Sequence, residues 1–252
     1  MIPAERHRAI LSALSQQPII SILELVEMLD VSHMTIRRDI AKLEKIGKVI
    51  SVTGGVQLST PLHQELPHTE KITERVKEKE QIGLLAAKQV PADATIYLDA
   101  GTTSLEVAKQ LAHRQDLIIV TNDFPIANYL MNHCSSQIYH TGGLIDCANQ
   151  SAVGSKVADF LLGMNIDLAF ISTSSWNIKG ISTPSENKVI VKKAIVSAAS
   201  ERYLLSDSSK YGRIAPFHAL SIESFGYVIS DNSLPDQVVE DLQLKGIEVL
   251  LA

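Results

Sequence analysis

The stretch that decides the fold of the first part of the chain is Val31-Ser32-His33-Met34-Thr35-Ile36-Arg37-Arg38-Asp39-Ile40-Ala41-Lys42-Leu43-Glu44. At 3.6 residues per turn, Ile36, Ile40 and Leu43 fall in one apolar stripe of a helix. The remaining faces carry mostly polar and basic residues, namely Thr35, Arg37, Arg38, Lys42 and Lys45. Because the apolar stripe would anchor the helix and leave its basic side free for phosphates and base edges, we predict a DNA-recognition helix.

A second helix precedes this one at the spacing of a helix-turn-helix motif. Ser21, with Glu24 three residues later, forms a capping box that predicts a helix over residues 22–29. The following Asp30-Val31-Ser32 predicts a tight turn in which Ser32 caps the recognition helix. Two helices joined in this way are typical of DNA-binding helix-turn-helix proteins.

The flanking residues extend the motif to a winged helix. Pro3 predicts the start of an earlier helix that Pro18 ends, and Gly47 ends the recognition helix. Residues 49–52 and 53–58, with Gly-Gly at 54–55, predict a β-hairpin, the wing. We therefore predict a winged helix-turn-helix DNA-binding domain over residues 1–58.

The alternative is a small amphipathic three-helix bundle whose arginines are only solvated. Charge does not decide between the two, since residues 1–60 hold seven Lys+Arg and six Asp+Glu. The order of cap, turn, paired arginines and Gly-Gly hairpin favours DNA binding. We expect the contacts to DNA from Ser32, His33, Thr35, Arg37, Arg38, Lys42 and Lys45.

Composition limits what the rest of the chain does. The 252 residues are 45% hydrophobic and 20% charged, with a net charge of −5, and residues 61–252 hold 16 Lys+Arg against 22 Asp+Glu. An acidic body of this kind would be repelled by DNA. We identify no signal peptide and no apolar run of the roughly 20 residues that a membrane span needs, so we expect a cytoplasmic protein with no membrane partner. Cys134 and Cys147 show no metal-ligand spacing, and we predict no metal and no cofactor.

The second part of the chain alternates strands and helices. Two prolines mark residues 59–70 as a linker, and residues 71–90 predict a helix that leads into an α/β domain over residues 71–252. Continuous apolar runs predict strands at 95–98, 117–120, 137–140, 167–172, 203–205, 227–229 and 247–251. Helices are predicted at 104–112, 125–132, 153–164, 185–200 and 235–245. This alternation predicts a mostly parallel sheet that is covered on both faces.

Small polar residues follow five of the predicted strands. Parallel sheets bind ligands beyond the carboxyl ends of their strands, and glycines, hydroxyls and helix N-terminal amides suit an anion. We therefore predict a pocket for a small polyhydroxylated anion, lined by Asp99, Gly101, Thr102, Thr103, Asn122, Asp123, Gly142, Gly143, Asp207 and Lys210. For each loop taken alone, an ordinary turn or helix cap is the alternative. Trp176, the single tryptophan, is expected to pack rather than to stack on a sugar.

Both halves resemble one family, the DeoR family of bacterial transcriptional regulators. The resemblance rests on Ser32 to Ile40, Leu43-Glu44, Gly47 and Gly54-Gly55-Val56 in the first half. In the second half it rests on Leu98 to Thr103, Thr121-Asn122-Asp123, Gly142-Gly143, Gly180 to Pro184 and Asp207 to Gly212. It implies an effector-binding domain similar in fold to ribose-5-phosphate isomerase that senses a phosphorylated sugar. By the same resemblance, Asp99, Thr102, Thr103, Gly143, Asp207 and Lys210 line the effector pocket.

The chain departs from the family pattern at two places. Ser51 and Thr53 stand where the wing of the family usually carries an arginine and a histidine. Asp146 and Cys147 stand where many members have a basic residue after the Gly-Gly pair. Since a phosphate would lose a positive partner there, a sugar acid remains an alternative effector.

We therefore predict a transcriptional regulator, specifically a repressor, that binds a double-stranded operator as a dimer or larger homo-oligomer and responds to a small anionic sugar metabolite. The alternative from another class is a sugar-phosphate isomerase with a DNA-binding appendage. Such an enzyme needs a carboxylate base, for which Asp99, Glu186 and Asp207 are the candidates. No pattern selects one of them, and we predict no catalytic residue. A purely architectural DNA-binding protein would leave the polar strand ends unexplained.

Overall fold

The computed structural model of this protein describes residues 1–52 and 54–252. Thr53, which the sequence places in the predicted hairpin, lies outside the described residues. Among the described residues, no helix has both the length and the apolar character needed to cross a bilayer.

Residues 1–58 form the predicted winged helix. Its helices are α1 (Pro3–Gln16), α2 (Ile22–Leu29) and α3 (His33–Lys45), and its antiparallel wing strands are β1 (Val49–Val52) and β2 (Gly55–Leu58). The capping predictions are confirmed, since the hydroxyls of Ser21 and Ser32 accept the backbone N–H groups of Glu24 and Thr35. Burial of the apolar stripe of α3 against α1 and α2 fixes which side of α3 faces solvent.

The segment after the wing, predicted as a linker, contains regular secondary structure. Strand β3 (Thr60–Pro61) pairs in parallel with β13 (Arg213–Ile214). The predicted single helix over 71–90 is wrong: Arg75 adopts a left-handed backbone (φ 50°) and separates α4 (His68–Lys71) from α5 (Val76–Ala87). The assignment of 59–70 as the boundary between two domains stays a prediction.

The α/β half contains the predicted parallel sheet. Its strands and helices, in chain order, are β4 (Thr95–Leu98), α6 (Thr102–Leu111), β5 (Ile118–Thr121), α7 (Phe124–His133), β6 (Gln137–His140), α8 (Ser155–Leu162), β9 (Ile166–Ser172), α9 (Glu186–Ala198), β12 (Ala199–Leu205), β15 (Tyr227–Ser230), α10 (Asp236–Leu244) and β16 (Glu248–Leu251). The strand order is β16-β15-β12-β9-β4-β5-β6, with every pair parallel. One apolar cluster joins α5, α6 and α7 to the sheet, and a second joins α8, α9 and α10.

Two antiparallel additions were not predicted. Strands β7 (Leu144–Asp146) and β8 (Ser151–Val153) form a hairpin, so Val153 ends a strand and the predicted helix over 153–164 begins only at Ser155. Strands β10 (Trp176–Asn177), β11 (Gly180–Thr183) and β14 (Phe217–Ser221) form a small sheet. Short strands of mixed polarity give little periodic signal, which is why the sequence did not reveal them.

The wing and α3 pack against the loop that follows Lys210. The Tyr211 hydroxyl donates to Glu44 of α3 at 3.2 Å, and the Ser51 amide donates to the same carboxylate at 2.9 Å. Burial raises the pKa of Glu44. Gly212 adopts φ +81°, and a Cβ at this position would overlap the side chain of Ile50. The close backbone approach therefore requires glycine here.

Candidate functional site

The first candidate surface is the outward face of α3. Six of the seven predicted DNA contacts are solvent-exposed, namely Ser32, His33, Arg37, Arg38, Lys42 and Lys45. Thr35 is half-buried, and its hydroxyl lies 2.9 Å from that of Ser32 at the helix cap. The contact of these side chains with DNA stays a prediction. A helix that enters the major groove must expose its contacting side chains, and these side chains are exposed on the side of α3 opposite its buried stripe.

Asp39 and Glu44, also on α3, have structural roles instead. Arg6 of α1 donates to the Asp39 carboxylate at 2.6 Å, and the His7 ring lies 3.1 Å from it. Glu44 faces the α/β half through Tyr211. Helix α3 is thus held by one buried carboxylate to α1 and by another to the α/β half.

The second candidate site is a cavity at the carboxyl ends of the central strands. It is lined by six of the ten residues predicted for the effector pocket, namely Asp99, Gly101, Thr102, Thr103, Asn122 and Lys210. Thr102 and Thr103 begin α6 directly after the loop that leaves β4, so the first turn of a helix opens onto the cavity. Asn122 is fixed by the Tyr97 hydroxyl at 2.7 Å and the Ala100 amide at 3.0 Å.

Four predicted residues do not line this cavity. Asp123 is buried and caps α7 through Ile126 N–H, the capping alternative considered above, and it also accepts the Gly101 amide. Gly142 and Gly143 are exposed after the edge strand β6, two strands away from β4. Asp207 is buried at the start of a short 3₁₀ turn and accepts the Ser209 amide at 3.1 Å. A position after a strand was therefore not enough to place a side chain in the cavity.

Five lysines surround the cavity, of which only Lys210 was predicted. They are Lys71, Lys79, Lys188, Lys192 and Lys210. Lys192 Nζ lies 2.6 Å from Asp99 Oδ2 and 2.8 Å from the Ser172 carbonyl oxygen. Lys210 Nζ lies 3.4 Å from Glu74 Oε2. Lys188 and Lys192 are four residues apart in a predicted helix and therefore share one helix face. This spacing could have predicted that both lysines face the same site.

A carboxylate from outside the sheet also enters the cavity. Glu65, in the segment predicted as a linker, lies 2.8 Å from Lys188 Nζ and 3.2 Å from Lys71 Nζ. Burial alone would raise the pKa of Glu65, but Lys188 and Lys71 outweigh it and hold that pKa at about 2. Burial lowers the pKa of Lys71 and of Lys79. No local pattern around Glu65 indicated this position.

The remaining candidates from the sequence lie away from the cavity chemistry. Trp176 is fully buried and packs edge-on against Tyr211, in agreement with a packing role. Glu186 is exposed at the start of α9 and is not part of the cavity wall. Within residues 1–52 and 54–252, no cluster of three or more His, Cys, Asp or Glu side chains could hold a metal ion.

Comparison with known proteins agrees with both halves of the structure. Residues 6–61 match the DeoR-like helix-turn-helix domain, and residues 74–232 match the DeoR C terminal sensor domain. A transcriptional regulator of the helix-turn-helix type from Haemophilus influenzae is 49% identical over 251 residues, covering 100% of this chain and 98% of its own length. The glycerol-3-phosphate regulon repressor of Escherichia coli K12 is 31% identical over 243 residues, covering 96% of both chains.

Among solved structures, ribose 5-phosphate isomerase from Plasmodium falciparum aligns with 53% of this chain and 52% of its own, at 15% identity and a TM-score of 0.39. A structural similarity this low gives no information about the activity of this protein. The family matches cover the winged helix and most of the α/β half, and the relatives span essentially the whole chain. This chain therefore belongs to the DeoR family and is a DNA-binding transcriptional regulator.

Proposed function

We propose that the protein is a repressor whose affinity for its operator is controlled by a small anionic sugar metabolite bound in the cavity. The observation that carries this proposal is the charge of the cavity wall, where five lysines face two carboxylates, Glu65 and Asp99. Two carboxylates outside the wall compensate part of this charge, since Glu74 lies 3.4 Å from Lys210 and Asp146 lies 3.9 Å from Lys188. The ammonium groups of the wall are donors that a phosphate or a carboxylate can accept from, beside these carboxylates or in place of one of them.

The neutral part of the wall suits the rest of such a ligand. Thr102 and Thr103 stand in the first turn of α6, where helix N-terminal amides favour an anion. The Ser151 hydroxyl is buried in the wall and has no hydrogen-bond partner within residues 1–52 and 54–252. An unsatisfied buried hydroxyl of this kind is a natural contact for a ligand hydroxyl.

Two ligand classes fit this chemistry. The Escherichia coli relative is named for the glycerol-3-phosphate regulon, which favours a phosphorylated polyol or sugar. The sugar acid remains the alternative, because Asp146 and Cys147 stand where many family members have a basic residue. Asp146 Oδ2 lies 3.9 Å from Lys188 Nζ and takes up part of the positive charge that a phosphate would need.

We propose that the protein binds DNA as a dimer or a larger homo-oligomer. One winged helix contacts one half-site, and two half-sites need two copies placed by symmetry. Exposed apolar side chains on and beside α7 and the β7–β8 hairpin would suit contact with a second copy, among them Met131, Leu144 and Ile145.

We expect an experiment on the ligand to identify the role of Lys210. A thermal-shift screen of sugar phosphates and sugar acids should yield one ligand that also releases the protein from its operator. Lys210→Met should then weaken that ligand about tenfold to a hundredfold, the effect of losing one charge-assisted bond, and leave operator binding without ligand unchanged. Lys156→Met, a change of an exposed lysine of α8, is the matched control. If no ligand alters operator binding, the proposed control by a metabolite is wrong.

We expect no isomerase activity, the main alternative. A proton-transfer base must reach the substrate carbon, yet Asp207 and Glu186 lie outside the cavity wall. Asp99 lies in the wall, and its Oδ2 atom already accepts from Lys192 Nζ and the Ser172 amide. The purified protein should leave pentose and hexose phosphates unchanged in NMR spectra beyond the enzyme-free rate. Turnover that disappears in Asp99→Asn, Glu186→Gln or Asp207→Asn, in a variant that circular dichroism shows to be folded at the assay temperature, would overturn the regulator proposal for this cavity.

A further inference from the structure

The segment between the wing and α4 contributes one side chain, that of Glu65, to the cavity wall. Residues 63–66, here called the Glu65 loop, make no backbone–backbone hydrogen bond within residues 1–52 and 54–252. His63, Gln64 and Leu66 are exposed, whereas the Glu65 side chain is only 8% exposed. The loop is therefore held to the α/β half mainly through the Glu65 carboxylate.

That carboxylate is the main anionic partner of two of the cavity lysines. Lys188 Nζ donates to it at 2.8 Å and Lys71 Nζ at 3.2 Å. Without Glu65, Lys71 would keep a neutral bond to Asn149, and Lys188 would keep Asp146 at 3.9 Å. The two ammonium groups thus form an anion subsite that the chain itself fills.

The Glu65 loop is anchored at both ends. On one side the Leu62 amide donates to Ile214 O, immediately after the β3–β13 pairing that follows the wing. On the other side the His68 amide donates to Ala148 O. Displacement of the loop from the cavity therefore has to break the Glu65 ion pairs but no backbone hydrogen bond of residues 63–66.

Resting on the function proposed above, we infer that Lys71 and Lys188 bind the phosphate or carboxylate of the effector and that Glu65 competes with it for this subsite. When the anion of the effector replaces the Glu65 carboxylate, the ammonium groups of Lys71 and Lys188 still have a negatively charged partner. Displacement of the Glu65 loop strains β3, which pairs with β13 beside Tyr211 and Gly212, the residues that contact α3 and the wing. Effector binding is in this way linked to the position of the DNA-binding domain, since a ligand must favour one arrangement over another to act at a distance.

Inorganic phosphate is a suitable probe, compared with chloride at equal ionic strength. Glu65→Gln keeps the size of the side chain and removes the competing charge. The variant should bind phosphate about tenfold to a hundredfold more tightly than the wild type, as judged by isothermal titration. Glu70→Gln is the matched control, because it removes an equal charge from an exposed position on α4 that is not part of the cavity wall.

Hydrogen exchange of the unmodified protein tests the displacement itself and does not depend on how a variant folds. Phosphate should speed amide exchange severalfold at Leu62 and His68, whose amides are hydrogen-bonded at the two ends of the Glu65 loop, while slowing it at residues 99–103. Equal phosphate affinity of Glu65→Gln and Glu70→Gln, absence of phosphate binding, or unchanged exchange at both Leu62 and His68 would each overturn the inference. A ligand that releases the operator without moving the loop would leave the proposed function intact, whereas failure of every ligand to affect operator binding would remove that function.

Discussion

Replacing both Arg37 and Arg38 with alanine should abolish specific operator binding while the protein stays folded. Both side chains are exposed on α3, and neither belongs to the buried stripe of Ile36, Ile40 and Leu43. Each base-directed arginine contributes about 1–3 kcal/mol, and each phosphate-directed one steepens the salt dependence by about one unit. The measurement is fluorescence anisotropy with a duplex selected from a random pool by the wild-type protein, at several salt concentrations.

The control for this experiment must remove the same charge elsewhere. Lys77→Ala combined with Lys88→Ala does so at exposed positions on and just after α5. This control should bind the selected duplex like the wild type. If the arginine double variant also binds the selected duplex like the wild type, α3 is not the recognition helix. Residues 1–58 would then be better described as a three-helix bundle whose arginines are only solvated.

Asp99→Asn should destabilise the protein strongly, because it leaves Lys192 as a buried cation without its carboxylate. The two side chains are 4% and 8% exposed, and their charged atoms lie 2.6 Å apart. Removal of one partner of a buried ion pair costs about 3–5 kcal/mol. For a chain of this size each kcal/mol lowers Tm by about 2–4 °C, so a fall of roughly 6–20 °C is expected.

A double-mutant cycle separates the ion pair from other effects. Lys192→Met alone should destabilise to a similar degree, and Asp99→Asn combined with Lys192→Met should be clearly more stable than the sum of the single changes implies. Glu223→Gln, which breaks the exposed pair with Lys245, serves as a control with little change in Tm. Simple additivity across the cycle would mean that the pair contributes no coupling and that Asp99 acts through its other contacts.

Most of the winged helix was predictable from the sequence, since its signals act over a few residues. A capping serine such as Ser21 and its partner Glu24 meet within one helical turn, and the stripe of Ile36, Ile40 and Leu43 is set by helix geometry. The parallel sheet was predictable for a related reason. Strands buried on both faces must be continuously apolar, and this pattern is visible without knowing their neighbours.

The cavity was only partly predictable, because a strand end does not reveal the order of strands in the sheet. Asp99 and Thr102 follow β4, which lies inside the sheet, whereas Gly142 and Gly143 follow the edge strand β6 and miss the cavity. Asp123 shows the second limit. The sequence indicated that it could cap a helix or face a ligand, and only the position of α7 selected the cap.

The sequence by itself determined the two halves, the family, and the residue types at the carboxyl ends of the strands, since each of these rests on local spacing. Only the tertiary structure decided which charges meet. Lys71, Lys188 and Glu65 are brought together from α4, α9 and a segment without regular structure, across as many as 123 positions of the chain. Electrostatic energy depends on distance in space and on burial, and neither can be calculated from positions along a chain whose loops close in three dimensions.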